Sequence, residues 1–148
     1  MNSKTYYLAG PMSDRPQFNF PLFYKVADQL RVRGFSIISP AELDDLDDAL
    51  AALGSSDGRQ NPDGSHIHTT KTWGDFLARD VKIVADGSDG IIFLPEWETS
   101  RGARLEAFVG CLRKNGFEFY ALAENLDLIR LERAHVLNTI MEATSEQE

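Results

Sequence analysis

The chain has 148 residues, 43% hydrophobic and 26% charged, with a formal net charge of -8 and a single cysteine. This suits one globular domain over residues 1–148 with a full core. It argues against wrapping duplex nucleic acid, which needs a basic face. No apolar run approaches the roughly 18 residues that span a membrane. Met1-Asn2-Ser3-Lys4 leads into a strand-like run with no signal-peptide core, so the expected location is cytoplasmic.

Thr5 to Ala9 reads as a short strand ending at Gly10-Pro11. A loop follows from Met12 to Phe20. Pro21 then opens a helix whose apolar residues, Leu22, Phe23, Val26, Ala27 and Leu30, keep helical spacing up to a terminating Gly34. Phe35 to Ile38 is a second strand closed by Pro40, and Leu43, Leu46, Leu50 and Leu53 mark a second helix. Residues 54–70 are polar and aperiodic, and are long for a loop; they read as a flexible loop or lid carrying His66 and His68. For those histidines, solvated loop residues are the simpler reading. A helix is expected from about Thr72 to Ala85. Gly90 to Leu94 is a third strand, apolar throughout as a strand buried on both faces should be. Pro95 to Arg101 is a loop, Gly102 to Lys114 a helix and Phe117 to Leu122 a fourth strand. The remainder reads as an amphipathic helix from Leu126 to Met141 with a frayed acidic tail. Cys111 falls beside Val109 and Leu112 in a helical pattern and reads as a packed core thiol. Three histidines and one cysteine do not make a zinc set, so no metal is expected.

Strands alternating with helices predict an α/β, Rossmann-like three-layer sandwich with a mainly parallel sheet of four to five strands. Ligands bind such sheets outside the carboxyl ends of the strands, where the strand order reverses. For a 2-1-3-4 order that point lies between the first and third strands. The loops to inspect are therefore Gly10 to Arg15 and Pro95 to Arg101.

Three residues stand out as candidates. Asp80 falls inside the apolar stripe Trp73, Phe76, Leu77, Val81, Val84 of its helix, while Asp75, Lys82 and Asp86 take the opposite face. A carboxylate on a buried face is expensive unless paired or functional. It reads either as an arginine-paired or loop-capping Asp, or as a general acid. Glu106 lies one turn inside a helix capped by Ser100. The positive helix end and Arg104 are expected to favour its ionised form. Alone, a surface or salt-bridged Glu is the default. Tyr7 points by strand alternation toward the crevice, where it reads equally as a core tyrosine or as a group orienting a carboxylate. Gly102 allows a ligand close to the backbone, and the helix start offers N–H donors to an anion. Phe18 and Trp97 are loop aromatics that either stack a nucleobase or pack over the sheet. Neither a G-x-G-x-x-G nor a Walker pattern is present, which disfavours dinucleotide and P-loop chemistry; no cofactor is called for.

Tyr7-Leu8-Ala9-Gly10-Pro11, Phe18-Asn19-Phe20-Pro21, Pro40-Ala41-Glu42 and Ser100-x-Gly102-x-x-x-Glu106 together resemble the nucleoside 2-deoxyribosyltransferase superfamily, nearest its small phage-associated branch. The likeness spans residues 5 to about 122. It implies a flavodoxin-like sheet and a retaining mechanism on a small-molecule nucleoside or nucleotide. Glu106 matches the family nucleophile, Asp80 its acid/base contact and Tyr7 its first-strand tyrosine. Gly10, Pro11, Met12, Phe18, Trp97, Ser100 and Gly102 are the expected substrate contacts. Ser100 stands where the superfamily's monophosphate hydrolases carry Ser and its transferases Asp, which leans toward a 5′-phosphate. The likeness also implies a homodimer or higher homo-oligomer. A non-catalytic nucleotide-sensing module, or a structural partner protein, would use the same fold without turnover.

Overall fold

A computed structural model of the protein describes residues 4–59, 71–114 and 116–146. Five strands, β1 (Thr5–Ala9), β2 (Ser36–Ile38), β3 (Gly90–Phe93), β4 (Glu118–Leu122) and β5 (Leu128–Leu131), form one sheet in the order β2-β1-β3-β4-β5. The first four run parallel, and β5 is antiparallel to β4. Among the described residues the α-helices are α1 (Phe20–Val32), α2 (Leu46–Leu53), α3 (Trp73–Lys82), α4 (Arg101–Cys111) and α5 (Arg133–Glu146). This is the α/β layered sandwich that the alternating pattern predicts. No helix among the described residues is long and apolar enough to cross a membrane.

Strand alternation divides the core in two. Tyr6, Leu8, Ile92 and Leu94 face Phe23, Val26, Ala27 and Leu30 of α1. Tyr7, Ala9, Ile91, Phe93 and Phe119 face Ala103, Ala107 and Cys111 of α4, together with Val136 and Ile140 of α5. All four residues of β3 are buried, because helices cover both of its faces. Cys111 is the packed core thiol expected. Gly34 sits just past α1 with φ of 95° and closes it, its N–H bonding back to the Arg31 carbonyl at 2.9 Å.

Two sequence readings are corrected. The helix expected over Leu126 to Met141 is instead β5 followed by α5, which starts only at Arg133. A tight turn precedes β5: Leu126 adopts φ of 66°, and the Ala123 N–H bonds to the Asp127 carbonyl at 2.9 Å. The open edge of β4 then captures Leu128–Leu131 as a strand, a choice that the periodicity of a short apolar run cannot make. In α2, the helix starts at Leu46 rather than Leu43, capped by Asp45, whose carboxylate accepts from the Asp48 N–H at 2.9 Å. Its leucine stripe is not its buried face: Leu43, Leu46 and Leu50 are exposed, while Asp48 and Ala52 are buried.

Of residues 54–70, the proposed loop or lid, only Gly54 to Arg59 are described; His66 and His68 lie outside the described residues. The described part is fastened to the β1–α1 loop. The Asp14 N–H donates to the Gly58 carbonyl and the Gln17 N–H to the Ser55 carbonyl, each at 2.7 Å. Gly58 has φ of 67°, and a Cβ there would lie 2.0 Å from the Arg15 carbonyl oxygen, so only glycine fits.

Candidate active site

A cavity of about 310 Å³ opens at the carboxyl ends of β1 and β3, where the strand order reverses. Its walls are the β1–α1 loop from Gly10 to Arg15, the inner side of α3, the segment after β2, and the start of α4. At this volume it falls at the low end of small-molecule sites.

Two buried carboxyl groups and a tyrosine lie at its floor. Tyr7 is fully buried and donates its hydroxyl hydrogen to Glu106 Oε2 at 2.6 Å. Glu106 and Asp80 are 5% and 7% exposed, too little for water to carry both charges. Burial pushes the Glu106 carboxyl well above the usual carboxylate range, and the nearby Asp80 charge adds to it; the Tyr7 hydrogen bond and Arg79 oppose this. Burial also raises Asp80, against a hydrogen bond and opposite charge from Arg79. Tyr7 is held neutral, pushed well above its ordinary value by burial and then by Glu106 and Asp80. The expected ionising influence of Arg104 on Glu106 is corrected here. Arg104 turns away and donates to the Glu98 carbonyl at 3.3 Å, and Glu106 lies beyond the first helical turn, where the dipole has faded.

Ser100 caps α4 as predicted, accepting from the Ala103 N–H at 3.1 Å, and lines the cavity beside Gly102. A Cβ on Gly102 would meet only ordinary contacts, the nearest being Leu77 at 3.7 Å, so internal packing does not demand glycine there. Gly10 differs. A Cβ at that position would sit 2.7 Å from the Leu94 Cβ, so the loop can leave β1 only without a side chain. Pro11 and Met12 also line the cavity. Phe18 reaches it through an unusual backbone. Gln17, Phe18 and Asn19 all adopt left-handed φ of 51° to 63°. Each such residue costs about 1–2 kcal/mol. The run is held by Gln17 Nε2 on the Leu53 carbonyl at 2.8 Å and Asn19 Nδ2 on the Pro11 carbonyl at 2.9 Å. Trp97 is a correction: it does not line the cavity. It is buried and stacks on Phe93, ring centroids 4.0 Å apart, because the short turn after β3 folds it back onto the sheet.

The family model described as a domain of unknown function (DUF4406) matches residues 4–119, more than three quarters of the chain. The chain belongs to the DUF4406 family. No curated protein and no solved structure matches it. Every residue lining the cavity lies within the DUF4406 match, whereas β5 and α5 lie beyond it.

Several lining groups of this DUF4406 site escaped the sequence reading. Trp73, Phe76 and Leu77 were visible as an apolar stripe, but they are only half-buried because they wall the cavity instead of a core. Arg79 and Asp44 gave no signal. Arg79 adjoins Asp80 in sequence, and neighbours on a helix do not normally face each other; its guanidinium nevertheless curls back to Asp80 at 2.8 Å. The arginine-paired reading of Asp80 therefore holds alongside its place in the cavity. At the mouth, Arg101 stacks over the Trp73 ring at 4.7 Å, and Arg15 donates to Thr99 Oγ1 at 3.1 Å. Among the described residues no group of three or more His, Cys, Asp or Glu could hold a metal ion.

Proposed function

We propose that this protein cleaves or transfers at the N-glycosidic bond of a 2′-deoxynucleoside or its 5′-monophosphate, through a covalent glycosyl intermediate on Glu106. The observation that carries this reading is the Tyr7–Glu106 hydrogen bond beside Asp80 inside one cavity. The resemblance to the nucleoside 2-deoxyribosyltransferase superfamily in the same residues supports it.

The chemistry needs one carboxylate as nucleophile and one carboxylic acid as proton donor. Two carboxyl groups crowded in a low-dielectric site do not both ionise, so the pair holds one proton. As the C1′–N bond breaks, its electron pair leaves with the base and an oxocarbenium-like centre develops at C1′. A Glu106 oxygen bonds to C1′, and Asp80 delivers the proton to the departing nitrogen. Tyr7 holds the other Glu106 oxygen, which fixes the attacking lone pair. In the second step water or another base attacks C1′, Glu106 leaves, and Asp80 takes up the proton released. Half-buried Trp73, Phe76 and Leu77 offer the flat apolar wall that a nucleobase needs. The N–H groups of the first turn of α4 and the Ser100 hydroxyl suit a 5′-phosphate.

The test is incubation with each deoxynucleoside and each deoxynucleoside monophosphate, with and without a second free base. Free base alone marks a hydrolase, and an exchanged base marks a transferase. Glu106→Ala should abolish turnover, a loss of at least about 10³-fold for a missing nucleophile, while its circular dichroism stays native. Binding without turnover, unchanged in Glu106→Gln, would replace the enzyme with a nucleotide-sensing module.

A further inference from the structure

Among the cavity groups that the proposed chemistry does not use are Arg79 and Asp44, which contact each other. Arg79 donates from Nε to Asp80 Oδ1 at 2.8 Å, and from Nη1 to Asp44 Oδ1 at 2.6 Å. Its Nη2 points to the Pro40 carbonyl at 3.4 Å, and the guanidinium lies over the Phe76 ring, 5.4 Å from the centroid. Asp44 belongs to the segment between β2 and α2, and its side chain is 8% exposed. A single ion pair would have neutralised Asp80. Two carboxylates on different edges of one planar fork fix its orientation as well, which a lysine cannot reproduce.

We propose that Arg79, clamped by Asp44, is a positioning residue that aims the Asp80 carboxyl at the Tyr7–Glu106 pair and keeps Asp80 the charged member while the two share one proton. Asp80 is faced by Arg79 from its own helix, Asp44 from the segment after β2, Tyr7 from β1 and Glu106 from α4. Glu106 is faced by Tyr7 and Asp80, with Arg79 farther off. Of Asp80 and Glu106, Asp80 alone is hydrogen-bonded by Arg79, so the shared proton rests on Glu106 in the empty cavity. The consequence for turnover rests on the glycosidic reading above. When a base nitrogen comes within reach of Asp80, the proton passes from Glu106 to Asp80. Glu106 becomes the nucleophile, and Asp80 gives the same proton to the leaving base. No proton is gained or lost from solvent in this step.

The experiment is a carbon-detected NMR titration of the Asp80 and Glu106 carboxyls in the empty protein, for wild type, Arg79→Gln and Arg79→Lys. In wild type Asp80 should ionise at lower pH than Glu106. Arg79→Gln should move the Asp80 titration up by about one pH unit or more, since an adjacent cation is lost. Arg79→Lys keeps the charge but not the fork, so the titration should stay near wild type while kcat falls about 100-fold through misalignment, with little change in KM. Unmoved Asp80 titration in Arg79→Gln, or Glu106 ionising first in wild type, overturns the proposal. So does wild-type kcat in Arg79→Lys. If Arg79→Gln does not fold, the wild-type order of ionisation and the lysine variant still decide. The titration needs no turnover, so it tests the role of Arg79 even if the glycosidic reading fails.

Discussion

At the scale of the residue, the burial of Glu106 costs the fold stability wherever its carboxyl must ionise. Its folded carboxyl titrates well above its unfolded value of 4.5, first because it is buried and then because of Asp80. Between those two values the unfolded chain binds fewer protons than the native one, so stability is fully present below 4.5 and is lost as pH rises through the folded value. Glu106→Gln keeps the shape and removes the charge. Its unfolding free energy from urea titration should match wild type in acid and exceed it increasingly as pH rises through the folded value, by about 1 kcal/mol. A difference independent of pH would refute the burial argument. The odd placement of Asp80 was legible in sequence, because a charge inside an apolar helical stripe is a local signal. The fate of Trp97 was not, because its choice between crevice and core depends on how one short turn folds over β3.

At the scale of the element, the two glycines that line the cavity hold opposite positions. Gly10 is required by the fold, for its Cβ would collide with Leu94 across the loop that leaves β1. Gly102 is not, for it sits in the first turn of α4 with only ordinary contacts around it. Gly10→Ala should lose about 1–3 kcal/mol by overpacking. Gly102→Ala should be neutral or up to about 1 kcal/mol more stable, from helix propensity. If Gly102→Ala also weakens binding of the nucleotides proposed above as substrates, the bare backbone at the start of α4 serves the ligand. Thermal or urea unfolding of both variants beside a binding titration checks the pair. The element boundaries of β1, α1, β3 and α4 lay close to the sequence reading, since caps, Pro21 and Gly34 are written locally. The left-handed run through Phe18 was not legible. Asn19 tolerates that backbone but Gln17 and Phe18 do not favour it, and the run persists because Leu53, Ser55 and Pro11 hold it from other parts of the chain.

At the scale of the whole molecule, the end of the sheet opposite the cavity is tied together by Glu118. Its carboxylate, 8% exposed, is bonded by Lys4, and it accepts from Arg130 of β5 at 3.1 Å, linking the start of β1 to the antiparallel edge. Burial alone would raise its titration, but the hydrogen bonds from Lys4 and Tyr120 and the charges of Lys4 and Arg130 outweigh it and hold the carboxyl below the usual range. Glu118 therefore contributes stability that is complete above its unfolded value of 4.5 and lost as pH falls through the lower folded value. Glu118→Gln should cost about 2 kcal/mol at neutral pH, with the gap to wild type closing in acid; a gap that persists in acid would mean that the negative charge is not what Glu118 contributes. By itself the sequence determined the layered α/β architecture, the crevice at the switch of strand order, and the candidacy of Asp80, Glu106 and Tyr7. Those follow from periodicity, caps and charges read within a turn or two of chain. Only the tertiary structure decided that Leu128–Leu131 is a strand, that Arg104 leaves Glu106 alone, and that Arg79 bridges Asp80 to Asp44, 35 residues away. The last joins segments far apart in sequence; the other two depend on how a short turn of chain folds back, and neither course leaves a local pattern to read.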